Sequence, residues 1–446
     1  MFEPRTIDIN QEPRPQRQDC EVGARDILID RAFREKLDAA AQDAAHLILA
    51  VIQRRFRSAS EAFAQYLEPH AGAKWLATLL EEWEADSLFF RADLIDGQDG
   101  IQLVELNGPN AGGWVVSTRA EPTVQALRDA GIHARSVDTT QALFTHLLHW
   151  CTARAERCGS ARPFHFVVVS NLAEGEFDEP ARVSCQRRFA VAAATAGMMA
   201  RLSFAGWERL SFGPTGVSLD GSAVDAIFEE DPEGGSTRLR ALREARRGKL
   251  ALFYGPMTAV LNDKRLLALA HECAATRELN DEECAAVRNL IPWTCRFRSD
   301  VVTFDGEQLS VVELAEREPS RWVLKRAASH GGRDVLIGAV APRGAWQAGI
   351  GRALTDGDWV LQRFVQPKEH YWPGDPIARH CVWGVFVIGG RAEGGFVRLI
   401  EADGYGRYEP QESGASDESF RAFVMERSMN SDRHAVILPI IYSAAS

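Results

Sequence analysis

Apolar residues near the start of the chain recur at helical spacing. Between residues 30 and 86 they fall three or four positions apart, which is the repeat of an amphipathic helix. We therefore predict a helical region over 26–87, and its simplest interpretation is a packed cap rather than a binding element. Residues 1–25 are rich in Pro, Gln and Arg, and they are predicted to be a flexible N-terminus without an assigned function.

The pattern changes to short β-runs at residue 88. The runs 88–94 and 101–106 flank an Asp-Gly turn signal, which predicts a β-hairpin. Helical and strand patterns then alternate, as is typical of a small doubly wound α/β domain. The elements predicted here are helical sequence over 121–157, a strand over 164–169, a helix over 184–200, a strand over 200–204 and a hairpin over 217–227.

Antiparallel hairpins dominate the last part of the chain. Turn signals such as Asp305-Gly306 and Gly389-Gly390 separate its apolar runs. The predicted strands cover 301–304, 309–312, 322–325, 335–338, 359–364, 381–388 and 395–400.

Composition and charge narrow the function classes. The 446 residues carry a formal charge of −11, whereas non-specific nucleic-acid binding depends on Lys and Arg that neutralise phosphates. The chain shows neither an apolar run of about 18 residues nor an N-terminal secretory pattern. We expect a cytoplasmic protein that binds small molecules, without a nucleic-acid or membrane partner.

Cysteine and lysine usage adds two details. The eight cysteines contain no Cys-x-x-Cys pair, so they are predicted to be reduced and structural. Only six of the 51 basic residues are lysine. Because a compact ammonium and a planar guanidinium are not interchangeable, each lysine becomes a more informative candidate for a phosphate contact.

The predicted hairpin carries a candidate metal site. Arg91 and Asp93 are two positions apart on its first strand, and Glu105 and Asn107 are two apart on its second, so each pair points to one face. Oxygen ligands of this kind suit Mg²⁺, which is commonly held by one or two carboxylates and the phosphates of a nucleotide. The following loop, up to Gly113, lacks bulky side chains. The alternative is an exposed polar hairpin edge with an ordinary turn.

Two lysines are candidates for phosphate contacts. Lys325 lies at the end of a predicted strand, and Gly331 and Gly332 in the next loop can offer backbone N–H groups to phosphate oxygens. This loop matches neither the P-loop nor the dinucleotide fingerprint. Lys264 lies at the start of a predicted helix, where the alternative is an ordinary surface lysine.

Together these motifs resemble the ATP-grasp superfamily. Arg91-Ala-Asp93, followed by Glu105-Leu-Asn107 and a Gly-bearing loop, resembles the metal-binding signature found in D-alanine–D-alanine ligases. Three further segments are similar to nucleotide-binding parts of the family: 255–264 with its first lysine, 322–338 with its phosphate-covering loop, and 359–365 with its adenine-side strand.

The order of the motifs is unusual for that superfamily. In most ATP-grasp enzymes the Asp and Glu-x-Asn block comes last, whereas here it precedes both lysines. This order resembles the circularly permuted group that includes glutathionylspermidine synthase-like proteins. The resemblance implies a mixed α/β (α+β) fold: a permuted metal-binding part with helices over 88–158, a doubly wound pre-ATP-grasp domain over 159–250, nucleotide-binding subdomains over 251–410 and a C-terminal extension over 411–446.

The resemblance also implies roles for individual residues. Mg²⁺ would be held by Asp93, Glu105 and Asn107, while Arg91 and Lys325 would act on the reacting phosphoryl group. The residues implied in ATP binding are Lys264, Lys325, Gly331, Gly332, Gln362, Arg363, Phe364 and Val365.

Several positions depart from the family pattern or stay open. Arg363 stands where relatives often have Glu, so the ribose contact is open and Glu369 is a candidate for it. Relatives carry phosphate-binding arginines on late strands, where this chain has Arg379 and Arg398. His330 could contact the triphosphate or a substrate, or simply be solvated.

The predicted activity is an ATP-dependent ligase that joins a carboxylate, from an amino acid or peptide, to an amine through an acyl phosphate. One alternative keeps the fold with a thiol or hydroxyl acceptor. Others are a nucleotide-binding partner protein that does not turn over, and a metal-dependent hydrolase that uses the same carboxylates. The identities of the acid and the amine, and the oligomeric state, stay open.

Overall fold

The fold is known from a computed structural model. It describes residues 21–22, 27–56, 88–108, 112–155, 163–170, 177, 179–230, 235–253, 261–298, 300–329, 334–372, 375–402 and 436–443. The second half of the predicted helical cap, the segment 255–256 and the loop residues His330, Gly331 and Gly332 lie outside this description.

Strands and helices both occur throughout the described chain. The strands are β1 (Glu21–Val22), β2 (Ile27–Ile29), β3 (Phe89–Gly97), β4 (Gly100–Asn107), β5 (Ala134–Ser136), β6 (Phe164–Val169), β7 (Ala200–Ala205), β8 (Leu210–Gly213), β9 (Gly216–Leu219), β10 (Ser222–Val224), β11 (Ala226–Glu229), β12 (Ala251–Phe253), β13 (Thr294–Arg296), β14 (Val301–Phe304), β15 (Glu307–Ser310), β16 (Trp322–Arg326), β17 (Val335–Ile337), β18 (Trp359–Arg363), β19 (His370–Trp372), β20 (Asp375–Ile388), β21 (Arg391–Glu401) and β22 (Val436–Ser443). The α-helices are α1 (Arg31–Phe56), α2 (Ala120–Asp129), α3 (Thr139–Ala155), α4 (Glu179–Thr195), α5 (Gly235–Arg246), α6 (Arg265–Ala275), α7 (Asp281–Leu290), α8 (Val311–Arg317) and α9 (Arg343–Asp356). The predicted mixed α/β class is confirmed.

The largest sheet combines segments that are far apart in sequence. Its central order is β1-β22-β21-β20-β3-β4, and β2, β5 and β19 pair at its margins. Strands β3 and β4 form the predicted antiparallel hairpin, and β3 also pairs with β20. Strand β22 comes from the segment predicted as a C-terminal extension, and it pairs with β21 inside this sheet.

Helix α1 covers one face of the large sheet. Its buried apolar residues share a core cluster with Leu94, Trp383 and Val397 of the strands. The helical spacing read from the first half of the 26–87 region is therefore confirmed, together with its packing role.

A second sheet is parallel and has the order β12-β11-β6-β7. Along β6, Phe166 and Val168 pack into one core cluster, while Val167 and Val169 pack into another on the opposite face. A parallel strand that is buried on both faces reads as a continuous apolar run. The predicted α/β unit is present, with the carboxyl ends of its strands along one edge.

A third sheet, antiparallel and with the order β13-β18-β16-β17, carries Lys325 and Gln362. Its core is built around Trp322, Trp346 and Trp359, which are buried. Val323 of β16 lies opposite Gln362 of β18, so Lys325, two residues beyond Val323, projects to the same face of the sheet as Gln362.

The helical sequence predicted over 121–157 forms two helices with a short strand between them. Helix α2 ends at Asp129, and Gly131 then adopts a left-handed φ of 79°, which ends a right-handed helix. Strand β5 follows, and α3 begins only at Thr139.

The strand predicted over 309–312 is too long. It ends at Ser310, whose side chain accepts the N–H of Glu313 at 3.1 Å, while the Glu313 carboxylate accepts the N–H of Ser310. This capping box starts α8 at Val311. The local hydrogen bonds therefore outweigh the apolar run on which the prediction depended.

Two expectations from composition can be compared with the described residues. The cysteines found there are buried free thiols, as predicted: Cys151, Cys185, Cys273, Cys284, Cys295 and Cys381. Among the helices that the structure describes, none has the length and apolar character needed to span a membrane.

Candidate functional site

The β3–β4 hairpin brings the four predicted side chains together. Asp93 lies opposite Glu105 across the strand pair, and Arg91 lies opposite Asn107. Residues two apart on a strand share a face, so all four side chains project to the same side. Arg91, Asp93 and Glu105 are buried. The hairpin is therefore not the exposed polar edge that was its alternative.

Asp93 is the most enclosed of these side chains, with an exposed fraction of 0%. Its Oδ1 accepts Arg91 Nε at 2.7 Å, and its Oδ2 accepts Asn107 Nδ2 at 2.9 Å. Arg398 of β21 donates to the same Oδ2. Burial by itself disfavours the charged form, but Arg398 and Arg91 outweigh it and lower the pKa of Asp93 to about 2.

The hairpin has too few oxygen donors to enclose a metal ion by itself. An incomplete ligand set of this kind is more typical of a magnesium site than of a site built entirely from protein ligands. In the described part of the chain, no three His, Cys, Asp or Glu side chains are grouped as metal ligands. The hairpin offers two carboxylates and the Asn107 amide instead. Such a partial set suits Mg²⁺, which keeps several waters and completes its octahedron with phosphate oxygens.

Lys264 is a buried member of the same site. It precedes α6 directly, and its side chain is 2% exposed. Its Nζ lies 3.1 Å from Glu105 Oε1 and donates to the Ser329 carbonyl at 2.8 Å. The alternative of an ordinary surface lysine is therefore wrong, because this ammonium contacts both Glu105 of the β3–β4 hairpin and the segment after β16 that contains Ser329.

Lys325 reaches the hairpin from the third sheet. Its Nζ donates to the Val104 carbonyl at 3.0 Å and to Gln362 Oε1 at 2.7 Å. Gln362 is held in turn by Thr294, whose Oγ1 accepts the amide at 3.1 Å. Burial lowers the pKa of Lys325 to about 8; nearby Glu105 opposes this shift and Lys264 adds to it.

The predicted adenine-side residues divide into two groups. Gln362 and Val365 are buried, and Val365 packs in an apolar cluster with Ile95, Val104 and Val382. Arg363 ends β18 and is exposed. Phe364 N donates to the carbonyl of Arg321 at 2.7 Å.

The open candidates from the sequence lie in different places. Arg398 is buried against Asp93. Glu369 accepts the Tyr371 hydroxyl at 2.6 Å in an exposed position, and Arg379 donates to the carbonyl of Ile377. The structure therefore brings Arg398 into the site, whereas these hydrogen bonds of Glu369 and Arg379 join residues two positions apart in sequence.

Sequence reasoning missed a polar edge beside this site. Glu229 ends β11, and both Glu229 and Glu230 are buried, as is Ser170 after β6. Trp114, just beyond the Gly-bearing loop, donates its Nε1 to Glu230 Oε2 at 3.3 Å. The carboxyl ends of parallel strands are a common place for ligands, and that rule is the signal that could have identified these residues.

Comparisons with known proteins give a likeness at the level of the fold. No family profile and no curated protein matches this sequence. Among solved structures, a glutathione synthetase-like effector from Globodera pallida in its apo form is similar, with a TM-score of 0.54 and 14% identity over 86% of this chain and 88% of that one. The likeness is one of fold. It supports a glutathione synthetase-like architecture, while the permuted chain order stays a prediction.

We expect Asp93→Asn to lower the free energy of unfolding by about 3 kcal/mol near pH 7, because it leaves two buried guanidinium groups without their carboxylate. The folded pKa of about 2 lies below the ordinary 3.8, so the stabilisation is present above pH 3.8 and lost as the pH falls toward 2. Urea unfolding at several pH values measures this. The exposed Asp129→Asn should change stability by under about 0.5 kcal/mol, and an equally small effect at Asp93 would contradict the prediction.

Lys325→Met should reveal the cost of burying an ammonium group. The folded pKa of about 8 lies below the ordinary 10.5, so the unfolded chain binds the proton more tightly and wild-type stability rises as the pH passes 8. The difference in unfolding free energy, wild type minus variant, should increase by about 1 kcal/mol per pH unit between pH 8 and 10.5 and then level off. The exposed Lys249→Met should show no such slope. A flat profile for both variants would show that the pKa of Lys325 is not lowered by burial.

Proposed function

We propose that this protein is an ATP-dependent ligase that joins a carboxylate substrate to an amine through an acyl phosphate, releasing ADP and phosphate. The main support is the contact between the metal hairpin and the two lysines. Lys264 Nζ lies 3.1 Å from Glu105, and Lys325 binds the carbonyl of Val104, which is 221 residues away in sequence. These are the groups that the ATP-grasp resemblance assigned to magnesium and phosphate.

The charge balance of the site favours a polyanionic ligand. Arg91, Arg398, Lys264 and Lys325 carry four positive charges, against two negative charges on Asp93 and Glu105, and all six residues are buried. A surplus of buried positive charge is costly unless an anion compensates it. A triphosphate with bound magnesium supplies that compensation, in a protein whose overall formal charge is −11.

In the proposed reaction a carboxylate oxygen attacks the γ-phosphorus of ATP and the bond to the β-phosphate oxygen breaks. Lys264 and Lys325 hold the phosphates, and Arg91 stabilises the charge that develops on the transferred group. Asp93, Glu105 and Asn107 would hold magnesium, which neutralises phosphate charge when bound. The amine then attacks the acyl carbon, phosphate leaves, and the amine loses a proton.

The surroundings suggest where the two ends of the reaction lie. We assign the adenine to the apolar cluster at Val365, beside Gln362, with Arg363 and Phe364 at the exit of the strand. The phosphate contacts expected of Gly331 and Gly332 fall outside the described residues. We assign the acid or amine to the carboxyl edge of the parallel sheet at Trp114 and Glu230. ATP-dependent chemistry fits the cytoplasmic location expected from the sequence.

A phosphate-release screen tests the proposal. Purified protein with ATP and magnesium is supplied with amino acids and short peptides, alone and paired with amines, and the products are weighed by mass spectrometry. Phosphate release that requires an acid, with an amide product, supports the ligase. A thioester or ester product would establish the alternative with a thiol or hydroxyl acceptor. ATP binding without turnover would identify a nucleotide-binding partner protein. Hydrolysis in the absence of ATP would identify a metal-dependent hydrolase.

Glu105→Gln should reduce the rate of phosphate release by more than about tenfold, since loss even of an indirect metal partner costs about that much. The matched control is Glu282→Gln on the exposed side of α7, which should keep the wild-type rate. Equal rates for Glu105→Gln and the control would show that Glu105 does not hold the metal.

A further inference from the structure

The loop after Asn107 is tied at both of its described ends. At one end, the carbonyl of Gly112 accepts Arg91 Nη1 at 2.9 Å. At the other end, the N–H of Gly108 donates to the side-chain carbonyl of Asn262 at 2.5 Å. Residues 109–111 between them lie outside the described part of the chain. The first tie comes from the hairpin itself, whereas the second comes from a distant segment.

The bond from Asn262 gives the backbone N–H of Gly108 a hydrogen-bond acceptor in a position that is buried from water. Gly108 is buried, and a buried backbone N–H without a partner is costly. Asn262 lies 154 residues away in sequence and accepts through a neutral amide, so it adds no charge beside Glu105. The bond therefore fixes Gly108 without altering the charge balance of the site.

Asn262 is well placed to act as an anchor because the residues after it are held firmly. Asp263 and Arg265 are buried and paired, with Arg265 Nε 2.9 Å from Asp263 Oδ1. The backbone N–H of Lys264 donates to the carbonyl of Ala327 at 2.9 Å. The segment 262–265 is thus fixed to the third sheet independently of the loop, and it carries Asn262 and Lys264 side by side.

We propose that Asn262 is a positioning residue that holds Gly108, the residue directly after β4, at a set distance from Lys264. The inference rests on the proposed function, in which the phosphates lie at Lys264 and the acid or amine lies at Trp114, six residues after Gly108. Without the Asn262 side chain, Lys264 keeps its contacts with Glu105, Ser329 and Ala327. ATP binding is then preserved, while the acid is no longer aligned with the phosphate.

The test compares Asn262→Ala with Asn262→Asp, which keeps the acceptor oxygen. For Asn262→Ala, calorimetric ATP affinity with magnesium and without an acid should stay within about twofold of wild type. The kcat/KM for the most active acid of an amino-acid panel should fall by about ten- to a hundredfold, since a misplacement of about 1 Å can cost 100-fold. Asn262→Asp should recover only part of that loss, because it restores the acceptor oxygen but adds a negative charge beside Glu105. An equal loss of ATP affinity, or no loss of kcat/KM, would overturn the inference.

A readout without turnover separates this inference from the proposed function. Hydrogen exchange at the Gly108 amide, followed by mass spectrometry of peptides that cover 104–108, should become at least about tenfold faster in Asn262→Ala. The control is Asn280→Ala, which removes the side chain that accepts Glu283 N at 2.8 Å and caps α7 away from the site. Its Gly108 exchange should match wild type.

The two failures then differ. Unchanged Gly108 exchange in Asn262→Ala would refute the Asn262 anchor, whatever the activity. A wild-type protein that does not bind ATP would refute the proposed function, and the ligase role of Asn262 with it, even if Gly108 exchange accelerates.

Discussion

A carboxylate without access to water, Asp93, organises the site. A buried charge is tolerated only when it is paired and hydrogen-bonded, and here the partners come from different strands: Arg91 beside it on β3, Asn107 on β4 and Arg398 on β21. The same requirement that stabilises the fold therefore sets the directions of two arginines. Since the carboxylate is held on the face where Glu105 lies, the oxygen donors and the arginines are arranged together.

The lysines extend this arrangement from the large sheet to the third sheet. Lys264 contacts Glu105, and Lys325 contacts the backbone of β4 one residue earlier. Their ammonium groups add positive charge that two carboxylates do not balance. In a protein that is acidic overall, these six buried side chains thus carry an excess of positive charge, which is the electrostatic condition that the proposed nucleotide triphosphate would require. The neutral side chain of Asn262 holds the N–H of Gly108 and adds no charge to the site.

Local patterns were sufficient for much of the fold. The hairpin, the parallel strands and the α1 packing face follow from periodicity and turn chemistry, because neighbouring residues decide these elements. Sequence reasoning failed where a local hydrogen bond or backbone angle outweighed apolar periodicity, as at Ser310 and Gly131. At 14% identity to a glutathione synthetase-like effector, the fold is shared where few side chains are. Helices, strands and their packing are therefore easier to predict from the sequence than the contacts between individual side chains.

The sequence by itself determined which side chains were candidates: Arg91, Asp93, Glu105 and Asn107 share one face because strand geometry has a period of two, and scarce lysines marked the other half of the site. Only the tertiary structure decided that these halves meet. It also decided that Arg398, 305 residues from Asp93, is its partner, and that Asn262 supports Gly108. Such pairings depend on how the sheets pack and on the need of buried polar groups for hydrogen-bond partners. Neither can be predicted from the residues that are neighbours in sequence.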